Sequence, residues 1–183
     1  MKNPSIDDSN NRAFSNGTQK ILADLHSGYV ERFSEAVDKL KNSSEKQSQI
    51  LIAEVSPLLN HSDPEIRCDA IELLLLCNPL KTISSILPLL SDPVDFVRNC
   101  VCQELEFNEF YDKKVIDPLI NCLLHDPFND VRYRAAVLLG KIGDSKAIPA
   151  LEWAIEFDKG ENYEGDSISS AAKWALEEIQ NRT

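Results

Sequence analysis

The sequence predicts an all-α fold, a right-handed α-solenoid of about five two-helix units, and three recurring features carry that expectation. The first is a register. Ala36 with Leu40, Ala70 with Leu74, Val101 with Leu105, Ala135 with Leu139 and Ala172 with Leu176 each set a small or branched residue four positions before a leucine, at successive offsets of 34, 31, 34 and 37. A period in that range, with helical spacing and no strand signal, describes stacked helix pairs, none of which can bury its apolar face without a neighbour. The second feature is a turn that recurs as Ser62-Asp63-Pro64, Ser91-Asp92-Pro93 and His125-Asp126-Pro127. The third is an aliphatic–arginine pair just beyond each turn, at Ile66-Arg67, Val97-Arg98 and Val131-Arg132.

Residues 1–18 are rich in Asn, Ser and Asp. They hold too little apolar surface to offset the entropy of ordering them, so a disordered arm is expected there, followed by one repeat domain over 19–183. Within it, Ile21, Leu22 and Leu25 suit a short helix closing one end of the stack. The first pair follows, with Val30, Phe33, Ala36, Val37 and Leu40 on its first helix and Ile50, Leu51, Val55, Leu58 and Leu59 on its second, joined by the polar turn KNSSEK. The third unit, NCVCQELEFNEFYDKKVIDPLINCLL, has no glycine-rich turn, which predicts a connection that is longer or differently bent.

The fourth unit is the best formed. Asp126 is expected to cap a helix that Pro127 opens, and Val131, Ala135, Leu138 and Leu139 form its buried stripe. Gly140 and Gly143 are expected to end that helix through left-handed backbone, and Asp144 or Ser145 to cap the next, which turns Ile148, Leu151, Ala154 and Ile155 inward. After the longer loop FDKGENYEGD comes a capping helix over about 167–180 with no second member. Asp166 or Ser167 starts it, and Ile168, Ala171, Ala172, Ala175, Leu176 and Ile179 form its packing face.

Thirty acidic against nineteen basic residues give the chain a net charge of -11. That surplus disfavours nucleic acid and anionic membrane, which require cationic surface, and favours a basic partner; it also serves solubility. No run of 18 apolar residues marks a transmembrane span, and the start MKNPSIDDSNNRAF lacks the pattern of a secretory signal, so a cytoplasmic location is expected. Cys68, Cys77, Cys100, Cys102 and Cys122 show no CxxC spacing and sit in apolar helical context, which reads as buried, reduced thiols.

The stretch DPFNDVRYRAAVLLGKIGDSKAIPALEWAI, from Asp126 to Ile155, resembles the HEAT repeats, particularly the short HEAT-like units of bilin lyases and bacterial scaffold proteins. The resemblance runs from about Gly28 to Thr183 and is strongest from Ser62 onward. It implies a structural ladder of hydrogen bonds along the stack involving Asp63, Asp92, Asp126, Arg67, Arg98 and Arg132. It also implies that the second helices line a concave binding side, where aligning the Leu-Leu ends places Glu54, Ser56, Asn121, Glu152 and Trp153, with Glu156 one turn further on. Trp153 either protrudes there as an anchor or packs against the capping helix and Trp174.

No catalytic constellation emerges. His26, His61 and His125 are single residues, the last two in equivalent turns, and read as solvated rather than metal-binding. The loop DKGENYEGD lacks the DxDxDG spacing that wraps calcium, and the chain has no phosphate-cradling or nucleophile-elbow motif. No metal, cofactor or small molecule is expected. The leading expectation is a non-enzymatic module that holds another protein, a basic one, on an acidic concave face, in the form of an inhibitor or immunity partner to a nuclease-type toxin. From Glu152 to Glu178 there are eight acidic and two basic residues, so that end should attract a cation most strongly. The alternative, by resemblance, is a bilin lyase or lyase subunit. Excision of damaged DNA bases, known among HEAT-like proteins, is disfavoured by the scattered basic residues.

Overall fold

The computed structural model of the chain describes residues 44–109 and 112–182. The expected arm, the short helix at Gln19–His26 and the first helix at Val30–Leu40 lie outside them. The chain divides into two compact units, Met1–Ser85 and Ile86–Thr183. The described part of the first holds α1 (Glu45–Val55), α2 (Pro64–Cys77) and most of α3 (Pro79–Ile86). The second holds α4 (Asp95–Phe107), α5 (Ile116–His125), α6 (Asn129–Ile142), α7 (Ile148–Phe157) and α8 (Ile168–Asn181). Among the described residues the only extended pairing is an isolated bridge between Glu161 and Ser167.

In the first unit, Ser44 and Gln47 form a reciprocal capping box at the start of α1. Glu45 and Lys46, read above as the end of a polar turn, therefore form the first turn of the helix: a Ser with Gln three residues on satisfies two otherwise orphaned donors. Leu51 and Val55 of α1 are buried, as are Ile66, Ala70, Ile71, Leu73 and Leu74 of the adjacent α2. The buried Thr82 hydroxyl donates to the carbonyl of Leu74 at 3.0 Å, and it is also within reach of the Asn78 carbonyl at the end of the same helix.

In the second unit the helices form two rows. The first members α4, α6 and α8 pack side by side, and the second members α5 and α7 lie against α6 and α8 respectively. The shared core comprises Val97, Val101, Leu105, Leu119, Leu123, Val131, Ala135, Leu138, Leu139, Leu151, Ala154, Ile168, Ala172 and Ala175, all essentially inaccessible. Ile148 and Ile155, expected inward, are only half-buried. Ser167, rather than Asp166, caps α8 by accepting from Ser170 N–H. After α4, which ends at Phe107, the next helix begins at Ile116; after α6, which ends at Ile142, the next begins at Ile148.

Two expectations are corrected. The helix after His125-Asp126-Pro127 begins at Asn129 with Phe128 as its N-cap, so Asp126 does not cap it and Pro127 does not open it. Asp126 instead accepts from the N–H two residues on, at Phe128, and its carboxylate is left facing a neighbour. Gly140 and Gly143 do not supply left-handed backbone either. Gly140 lies within α6 and Gly143 has φ of -64°. Gly140 serves close approach, since a Cβ there would come within 2.4 Å of Trp174 Cζ3 and 2.9 Å of Ala175 Cα; at Gly143 a Cβ would first meet the Leu139 carbonyl oxygen of the same helix at 2.3 Å, and Ile179 Cδ1 only at 3.1 Å. Gly140 thus lets α8 lie close against α6, and Gly143 lets the chain turn tightly at the end of α6.

Candidate protein-interaction surface

The inter-unit turns share one construction. Asp63, Asp92, Asp126 and Asp158 each accept through Oδ1 from the backbone N–H two residues on, at Glu65, Val94, Phe128 and Gly160, all at 2.9 Å. Each arginine then fastens its own turn by donating from Nη1 to the carbonyl six residues back: Arg67 to His61 at 2.7 Å, Arg98 to Asp92 at 2.8 Å, Arg132 to Asp126 at 2.9 Å. With its remaining donors Arg98 makes a bidentate contact to Asp126 at 2.6 and 2.9 Å, and Arg132 reaches Asp158 at 2.7 and 3.2 Å. Both pairs are largely buried.

The Asp126 hydrogen bond raises the Arg98 pKa despite burial. Burial opposes ionisation of Asp158, but the Arg132 hydrogen bond, the Gly160 N–H and the Arg132 charge together hold its carboxyl below the usual range. Asp158 is the residue that sequence reasoning missed. Lys159-Gly160 follows it where the other turns have proline, and the usable signal was its spacing, an Asp 26 residues after Arg132 as Asp126 is 28 after Arg98.

These contacts commit part of the second unit's positive charge, its arginines above all, while Lys113, Lys114, Lys159 and Lys173 stay exposed. In the second unit Arg98 and Arg132 are committed to the buried pairs, Arg134 and Lys141 both bind Glu106, and Lys146 binds Asp117. Arg182 turns back to donate to the carbonyls of Gly140 and Gly143 at the end of α6. Among the described residues, no Lys or Arg lies in ion-pair range of Glu152, Glu156, Glu161 or Glu177.

The site residues read from the sequence fall in different places. Glu54 and Ser56 belong to the first unit; both are half-buried, and the Ser56 hydroxyl donates to the Ile52 carbonyl at 2.6 Å at the end of α1. Asn121 is exposed on α5 and lines a cleft of about 220 Å³ with Ser91, His125 and the Arg98–Asp126 pair. Glu152, Trp153 and Glu156 are brought together on the outward face of α7. Trp153 remains 42% exposed and its ring neighbour is Phe157, at 5.8 Å between centroids, while Trp174 lies over Gly140. Phe157, 57% exposed, completes that face and was overlooked; its spacing of one helical turn from Trp153 was the available signal.

Burial pushes the thiols of Cys77 and Cys122 up to about 12 and that of Cys102 well above its ordinary value, which leaves them protonated. No group of three or more His, Cys, Asp or Glu among the described residues is placed to hold a metal ion, and no described helix is long and apolar enough to cross a membrane.

A repeated helix pair, a fixed turn and an arginine that links one turn to the next define a helical-repeat protein of the α-solenoid class. Residues 52–136 and 116–182 match the family model of the HEAT repeats, and the chain belongs to that family. The crystal structure of an engineered protein is similar in fold, with a TM-score of 0.53 and 19% identity over 91% of this chain and 80% of that one. No curated protein matches the chain. HEAT repeats serve as helical scaffolds for protein interaction.

Proposed function

We propose that this protein is a non-enzymatic binding module that holds a basic partner protein on its acidic surface, as an inhibitor or immunity protein holds a nuclease-type toxin. The observation that supports this reading is the internal use of cations in the second unit. Its arginines are spent on the turn pairs and on Glu106 and the α6 carbonyls, so exposed carboxylates such as Glu152, Glu156 and Glu177 lie outside direct ion-pair range of any described Lys or Arg. A nuclease must be cationic where it meets its substrate, and a negative surface of this kind both steers such a protein in and competes for that face.

The test is affinity capture by the full chain from its native cells at about 0.05 M salt, with elution in steps to about 0.5 M and identification of what elutes. A partner of high isoelectric point that leaves as salt rises is the expected result. Recovery of no basic protein, or retention indifferent to salt, overturns the reading.

A further inference from the structure

The outward face of α7 carries two rows, each one helical turn long and set one residue apart. Glu152 and Glu156 form an acidic row, and Trp153 and Phe157 an aromatic one. Neither suits an isolated surface helix. Like charges at i and i+4 repel, and Lys159 makes no direct pair with either carboxylate, its ammonium donating to the backbone carbonyl of Glu156 at 2.6 Å. Two large rings stay half-exposed beside them although α7 already buries Ala150, Leu151 and Ala154 on its other side. An acidic row and an aromatic row side by side on one exposed helix face offer complementary chemistry to a cationic side chain.

We infer that this face of α7 is a docking site for an arginine-bearing helical segment of a partner protein, whose guanidinium groups stack on Trp153 and pair with Glu152 and Glu156. This rests on the basic-partner reading above and narrows it to one face and one side chain. Arginine is selected over lysine by the chemistry of the two rows together. A planar guanidinium can lie over an indole and still present paired N–H donors at its edge to a carboxylate, whereas an ammonium is a point charge that keeps its water. The spacing fits a helix, because two arginines one turn apart on the partner meet two carboxylates one turn apart on α7. Apolar residues between them cover Phe157.

The experiment uses the full chain and a labelled helical peptide in which arginines one turn apart alternate with leucines, beside the same peptide with lysine for arginine. Anisotropy titrations are run at about 0.05 and 0.2 M salt. The arginine peptide is expected to bind about threefold or more tighter than the lysine peptide. Trp153→Ala should weaken it about tenfold, and Glu152→Gln with Glu156→Gln should weaken it and reduce its salt dependence. Far-UV circular dichroism confirms that each variant is folded, and the glutamine pair gives an independent reading if Trp153→Ala is not. Equal binding of both peptides, with no effect of Trp153→Ala, shows that the acidic field alone holds cations and overturns the α7 site while leaving the basic-partner reading standing. Failure of both peptides to bind at low salt overturns the two together.

Discussion

Remove the Asp126 carboxylate and the Arg98 guanidinium stays where it is, held by the Asp92 carbonyl at the edge of a cleft, with two largely buried donors deprived of their carboxylate. An unpaired buried charge is the costly outcome, so Asp126→Ala should destabilise the protein by about 3–5 kcal/mol in urea unfolding. Arg98→Met with Asp126→Leu should cost far less than the two single changes added, since it removes both charges at once. Asp69 gives a different signal. Half-buried in α2, its carboxyl is raised from 3.8 to about 6, by burial first and then by Glu65 and Asp63. Between those values the folded chain keeps a proton that the unfolded chain has released, so stability falls as pH rises from about 4 to about 6. After discounting for partial exposure the loss is about 1 kcal/mol, and Asp69→Asn should flatten that decline and leave the protein more stable at neutral pH.

Between elements, the approach of α8 to α6 depends on glycine. A methyl at Gly140 meets the Trp174 ring and, more stubbornly, the Ala175 backbone, while gaining about 1 kcal/mol of helix propensity. Overpacking against backbone outweighs that gain, so Gly140→Ala should lower stability by about 1–2 kcal/mol, and by less when Trp174→Ala is already present. Much of this element scale was legible in the chain itself. The Ala/Leu register, the Asp-Pro turns and the arginine after each turn are all local, and together they gave the helices, their order and the family resemblance. What local pattern could not give was the reason for Gly140, because a glycine kept for a contact 34 residues away looks the same as one kept for a turn. Asp158 was hidden for a related reason, since its turn is built by Lys159-Gly160 and lacks the proline that marked the others. On α7 the acids and Trp153 were legible from composition, but Phe157 acquires meaning only when its ring is seen beside the indole.

Over the whole molecule, a net charge of -11 acts on folding and on binding with opposite signs. Carboxylates without counter-ions repel one another in the folded state and attract a cationic partner, and both effects reach across solvent where salt screens them. The Arg98–Asp126 and Arg132–Asp158 pairs, shielded from solvent, are screened far less. Raising ionic strength from about 0.01 to 0.15 M should therefore raise the melting temperature of the free protein by about 2–3 °C, the shift that roughly 1 kcal/mol of relieved repulsion gives in a chain of this size. Over the same range it should weaken the hold on a basic partner. Scanning calorimetry at the two ionic strengths checks the first effect, and a melting temperature that fell with salt would mean that exposed attractive pairs such as Lys146–Asp117, rather than the repulsion among uncompensated carboxylates, dominate the surface.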